Sequence, residues 1–355
     1  MTQLPIESIL AVDDADSTVT GEVIGASREG RDIEGHALGA GSRTISLIGG
    51  CHADEPVGPA MLSKLVRFLS DQPPDHPLLT GYRWLLVPHV NPDGAQRNAG
   101  WSQHFQPVVD HLGQADRGYD PVRYVLDVVR EPPGDDIEFG FPRGPDDHQA
   151  RPENRAVADF LSTATTLVLH ASFHGMGLAP GPWFLIESAW IDRTPSMREA
   201  LRQQVRQMGY PLFDVDRRGE KGFHRIDEGF STRPDSEAMV AHFVALDDPQ
   251  SAAKFRPSSM ELARSLGDDP LTLVSEMPLF LLSETPAKPD GPGFKAGTPG
   301  KRQLHDQLRQ IAESLPTDRA RHEMVQLGIR SMPIRDQMRL QLAFLNQALD
   351  CIDAP

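Results

Sequence analysis

Residues 45–58 read ISLIGGCHADEPVG. Ile45 to Ile48 form a short run of the kind a fully buried strand shows, and the glycine pair 49–50 ends it. A histidine and two carboxylates, His52, Asp54 and Glu55, follow at once. Leu62, Leu65, Val66 and Leu69 then recur at i, i+3, i+4 and i+7, one apolar face of a helix. YRWLLVPHV (82–90) returns to strand character and runs into the turn-rich NPDG. Strand, helix, strand with short connections is the signature of an α/β sheet, and open α/β sheets place their sites where strands end. His52 and Glu55 stand at such an end. Charges there can simply be solvated. Three residues of separation also lets a tight turn, or one turn of helix, aim both side chains at one point.

Outward from this stretch, residues 19–38 show short alternating segments around turn residues, a strand pair. Residues 131–153 are dense in Pro, Gly and Asp, a long ordered loop. RAVADFL (155–161) is helical, TTLVLHASFHG (165–175) is a buried strand, and LTLVSEMPLFLL (271–282) is the last strongly apolar run. The predicted organisation is a main domain over 1–285, a Pro/Gly-rich linker over 286–302 and a helical extension over 303–355. Leu304, Leu308, Ile311 and Leu315 form one stripe of that extension, and Met338, Leu342, Leu345, Leu349 and Ile352 another. These helices pack on the main domain or on a second subunit, which would make the protein an oligomer. There is no internal repeat. The fold expected is α/β: a three-layer α/β/α sandwich around a mixed, mainly parallel sheet, with the C-terminal helical extension.

The apolar share of 39% and charged share of 24% are those of a globular chain, not a disordered one. A formal net charge of −15 argues against nucleic acid or an anionic membrane as partner. The N-terminal stretch has no basic segment followed by an apolar core, and no apolar run approaches the roughly 20 residues that span a bilayer. The two cysteines, Cys51 and Cys351, give no disulfide framework. A cytoplasmic protein is the expectation.

Catalytic zinc takes three protein ligands and leaves a fourth position open, so a third ligand should come from another strand. In TLVLHASFHG, His170 and His174 fall on one face of an extended strand. His174, followed by glycine where the apolar run stops, is the better placed. His170 lies deeper, as a hydrogen-bonded core histidine or a partner to a ligand. Cys51 is either a further ligand or a small core residue. Glu276 sits inside a buried strand, and an unpaired carboxylate is costly to bury. It is either a salt-bridged structural residue or a general base and acid.

Taken in order, HADE, NPDGAQRN, RPENRAV, SFHG and SEMP, preceded by GASREGRDI, resemble the zinc carboxypeptidase family over roughly residues 19–285. The resemblance implies a carboxypeptidase-like fold and Zn2+ held by His52, Glu55 and His174, with Glu276 promoting attack of the metal-bound water on an amide. It also implies an arginine for the developing oxyanion, best matched by Arg97, with Asn98 beside it as a substrate-binding residue. Where the family grips a terminal carboxylate with an Asn-Arg pair, GYDPVRYV (118–125) offers Arg123, but Val122 stands in the asparagine position. No tyrosine occurs between Pro211 and Glu276 to match the one that closes over substrate in many members. Phe223, His224, Arg225 and Arg233 are the candidates to line the pocket instead. The implied activity is a metallocarboxypeptidase acting on a peptide C-terminus. The alternatives are an aspartoacylase-like deacylase of N-acyl amino acids and a non-catalytic peptide-binding relative. GMGLAPG (175–181) departs from nucleotide-loop spacing, and no G-x-S-x-G elbow occurs.

Overall fold

The computed structural model describes residues 3–13, 19–132, 134–267, 269–283 and 299–353, with the backbone alone for 299–302. Its centre is a ten-stranded mixed sheet. The strands are β1 (Glu22–Ala26), β2 (Asp32–Leu38), β3 (Arg43–Gly49), β4 (Tyr82–Val87), β5 (Phe105–Val109), β6 (Ala115–Tyr119), β7 (Leu167–Ala179), β8 (Trp183–Ile186), β9 (Arg225–Asp227), β10 (Phe230–Thr232), β11 (Leu271–Leu282) and β12 (Ile329–Ser331). Across the sheet the order is β1-β2-β4-β3-β7-β11-β8-β10-β9, with β12 also paired to β11, while β5 and β6 form a separate hairpin. The four central strands, β4, β3, β7 and β11, run parallel. Antiparallel pairs flank them at β1/β2, β2/β4, β11/β8 and β11/β12.

Alternation along the strands splits the core between two faces, as a period of two requires. Ile45 and Leu47 of β3 and Trp84 and Leu86 of β4 join one apolar cluster with helix Val57–Ser70. Ile48, Leu85 and Val87 join the other, with helix Pro152–Leu161. Helix Ile334–Asp353 packs beside Val57–Ser70 on the first face, and Ser259–Leu266 lies against β7 and β11 on the second. This is the α/β/α sandwich that the sequence predicts.

The last segment is woven into the same body. β12 pairs with Phe280–Leu282 of β11, and the stripe Met338, Leu342, Leu345 and Leu349 is buried within the chain. Of the two placements open at the outset, that stripe takes the main domain. Residues 286–298 of the predicted linker lie outside the described residues, and from Pro299 the chain is helical to Ser314. β7 continues through Gly175 to Ala179, past the point where its apolar run stops. His174 therefore lies inside a strand and not at its end. No helix among the described residues is long and apolar enough to cross a membrane.

Candidate metal centre

β3 ends at Gly49, and Gly50 takes a φ of 72°, a left-handed conformation that glycine adopts without the clash of a Cβ. The turn that follows carries His52 and Glu55 before helix Val57–Ser70 begins. The start of that helix lies hard against β7: a Cβ on Gly58 would stand 2.4 Å from the Phe173 carbonyl oxygen. This close approach delivers Glu55 to His174.

Glu55 Oε1 lies 2.7 Å from His52 Nδ1, Glu55 Oε2 lies 3.1 Å from His174 Nδ1, and the two Nδ1 atoms are 3.2 Å apart. Donors on one tetrahedral zinc stand about 3.4 Å from each other, so these three atoms are already near the required spacing. Two imidazoles and one carboxylate also form a donor set that catalytic zinc uses. The far ring nitrogens are held as well. His174 Nε2 is 2.7 Å from Ser172 Oγ, and His52 Nε2 is 3.1 Å from Glu138 Oε2. Such outer partners fix the orientation of ligating imidazoles. The residues present fit a zinc ion.

Charge in the cluster is mutually supported. Burial opposes a charged imidazole, but Glu55, together with Glu138 at His52 and Cys51 at His174, outweighs it and raises both well above the ordinary histidine value. Burial likewise opposes the Glu55 carboxylate, yet the two imidazoles hold it far below the usual carboxylate range. Glu276 behaves in the opposite way. It is the Cα partner of His174 across the β7/β11 pair, so the two side chains are neighbours on one sheet face. Burial first, and then the Glu55 charge, push Glu276 up to about 8. No hydrogen bond or ion pair holds its carboxyl among the described residues.

His52, Glu55 and Glu276 open on one cleft of about 310 Å³, whose other walls include Asp54, Arg130, Glu131, Asp136 and Met176. The family model described as zinc carboxypeptidase matches residues 10–183 of the chain, a span that holds all three donors. The chain belongs to the zinc carboxypeptidase family. It is a divergent member. It is 33% identical over 84 residues to the inactive metallocarboxypeptidase ecm14 of Talaromyces marneffei, covering 20% of this chain and 14% of that protein. The protein of the same name from Talaromyces stipitatus is 34% identical over 102 residues, 24% of this chain and 17% of the relative. The matched stretch thus spans less than a fifth of either relative. Among solved structures, the metallo-carboxypeptidase of Burkholderia cenocepacia is 13% identical at a TM-score of 0.48, over 98% of this chain and 67% of that one. The metallo-carboxypeptidase of Pseudomonas aeruginosa in complex with (2-guanidinoethylmercapto)succinic acid is 15% identical at a TM-score of 0.44, over 92% and 64%.

The structure brings His52, Glu55, His174 and Glu276 together, and places the remaining sequence candidates outside the cleft. Arg97, on helix Pro92–Ser102, donates to Glu29 and Glu131, each at 3.0 Å. Asn98 is buried and bonds both the N–H and the carbonyl of Val129 at 2.9 Å. Asn98 thus holds the backbone before Arg130 and Arg97 the side chain after it, and Arg130 is the arginine that does reach the cleft. Arg130 Nε donates to Asp54 Oδ2 at 2.8 Å, and its guanidinium also bonds the Tyr124 hydroxyl. Arg123 is half exposed on helix Pro121–Asp127, 3.8 Å from Asp127. Arg225 is bidentate to Asp214 at 2.7 and 3.0 Å. Arg233 is buried against Glu187 at 2.7 Å and Thr272 at 3.1 Å, a pair that is costly to break for any substrate. Phe223 packs on the Trp183 ring. Cys51 is a core residue with Sγ 3.6 Å from Ser172 Oγ, and His170 is a core histidine between Ser46 and Ser259, at 2.7 and 3.1 Å.

Sequence reading missed Arg130, Asp136 and Glu138. The signal available for Arg130 was its place just before the Pro/Gly-rich loop, where a side chain is not committed to a helix face.

Proposed function

We propose that the protein is a zinc-dependent amide hydrolase of carboxypeptidase type, acting on a peptide or an N-acyl amino acid. The observation that carries this reading is the convergence of three donor atoms, two of them on residues that line the same cleft as Glu276. His52, Glu55 and His174 hold the metal. Bound there, zinc supplies Lewis-acid activation of water and of the substrate carbonyl. Glu276 accepts the proton released as water attacks the carbonyl carbon, then gives it to the leaving amine nitrogen. A carboxyl raised to about 8 is suited to carrying a proton near neutral pH. Arg130, positioned by Asp54 and Tyr124, donates to the carbonyl oxygen as negative charge builds on it. Two free cysteines, one of them buried, support residence in a reducing compartment, the cytoplasm.

A second reading is a peptide-binding protein without turnover. The names of the two Talaromyces relatives favour it. Presence of the donor set together with Glu276 favours the enzyme. Zinc content of purified protein tests the foundation that both share. We expect about one zinc per chain in the wild type and loss of it in His174→Ala under identical washing. A wild type that holds no zinc and takes none up on addition would sink the hydrolase reading. Amide hydrolysis by the zinc-loaded wild type, measured over a panel of peptides and acyl-amino acids, then separates the enzyme from the binder.

A further inference from the structure

Resting on that hydrolase reading, we propose that Asp136 and Glu138 form a cation-accepting subsite beside the metal centre, so that the substrate presents an ammonium or guanidinium group to this wall, not a free carboxylate. Asp136 is 8% exposed and lines the cleft. Its one hydrogen bond among the described residues is a long one, 3.4 Å from the Phe139 N–H to Oδ1, and no cation pairs with it there. Burial raises its carboxyl above the ordinary range, and the more distant His52 charge offsets this only in part. Glu138 stands two residues on, bonded to His52 Nε2 at 3.1 Å.

The cations around this wall are committed elsewhere. Arg130 faces Asp54, Arg97 faces Glu131, and Lys254 faces Asp135 at 2.7 Å. Arg151 donates to the Asp135 carbonyl and lies 3.8 Å from Glu131. Lys221, whose charge reaches Glu138, sits over the Phe243 ring at 5.6 Å. With Asp54 and Glu131 neutralised and Glu138 shared with His52, Asp136 is left as the carboxylate of this wall that no cation pairs with among the described residues. A substrate carboxylate placed there meets like charge, and an amine meets opposite charge. At the separations of a cleft this size, such a contrast exceeds a factor of ten in affinity.

The test compares two small thiols that differ only in the charge of the far end, cysteamine and 3-mercaptopropionate, titrated calorimetrically into zinc-loaded protein. We expect cysteamine to bind at least tenfold tighter to the wild type, with the ratio falling close to one in Asp136→Asn. Glu138→Gln, which should lower the ratio by several-fold, supplies the answer should Asp136→Asn not fold. Equal or tighter binding of 3-mercaptopropionate to the wild type, or an unchanged ratio in the variants, overturns the proposal. If the protein takes up no zinc, the hydrolase reading fails by itself. The subsite is then read from agmatine titrated into the same protein and followed by NMR shifts. Binding weakened at least fivefold in Asp136→Asn supports the subsite, and equal binding or none overturns it.

Discussion

The two sides of the cleft are built by different means. His174 and Glu276 are paired residues on adjacent parallel strands, so their relative position follows from the register of the whole β7/β11 ladder. Arg130, Glu131 and Asp136 come from the irregular segment 128–151, which is held by separate side-chain anchors: Asn98 on Val129, Asn91 and Arg97 on Glu131, Arg151 on Asp135 and Asn154 on Ile137. A ladder shares any strain over many bonds, whereas a loop pinned at single points depends on each pin. His174 and Glu276 sit on the ladder here, and Arg130, Glu131 and Asp136 sit on the loop.

The sharpest way to break this contrast is at Glu276. Glu276→Gln keeps the strand and the donors, so zinc content should stay at the wild-type level while amide hydrolysis falls by about 10² to 10⁴. Comparable loss of both would mean that the ladder had moved. Next comes the loop side. Arg130→Ala should cost about 10² to 10³ in kcat, the usual price of an oxyanion donor, and Arg97→Ala no more than about tenfold, since Arg97 reaches the cleft only through its partner Glu131. Steady-state rates for the pair read this directly, and a larger loss in Arg97→Ala would reverse the assignment. On the ligand side, removing the hydroxyl behind His174 in Ser172→Ala should weaken zinc binding by about 10- to 100-fold, as measured by competition with a chelator.

The last effect is on stability. Burial, and then Arg233, push His170 down to about 3 from 6.5. The unfolded chain takes up this proton as pH falls through 6.5, while the folded chain resists it until about 3. Stability from neutral His170 is therefore full above pH 6.5 and is lost progressively below it, by up to about 1.4 kcal/mol per pH unit. Denaturant titrations at pH 7.5 and 4.5 should show a smaller loss in His170→Gln than in the wild type.

What the sequence revealed follows the same division. The strands carrying the donors announce themselves as apolar runs, and 271–282 matches β11 end to end. The helix after Glu55 shows its period in Leu62, Leu65, Val66 and Leu69. Such patterns exist because a buried face repeats. Residues 128–151 have no repeat, so nothing local distinguishes Arg130 from Arg97 or Arg123, and Arg97 was favoured by nearness to NPDG. The three-residue strands β9 and β10 are likewise too short to leave a period. A buried arginine such as Arg233 looks the same in sequence whether it waits for a substrate or is already paired with Glu187.

The junction of β12 with β11 bears on how the protein is made. Synthesis runs from the N-terminus, so His52, Glu55, His174 and Glu276 all leave the ribosome before Ile329. Until residues 329–353 emerge, Phe280–Leu282 lack their partner strand, and the apolar face that helix Ile334–Asp353 covers stays open to water. A nascent chain would hold every reactive group of the site on an unfinished sheet. The sheet beneath the site is therefore completed only once residues 329–353 have emerged.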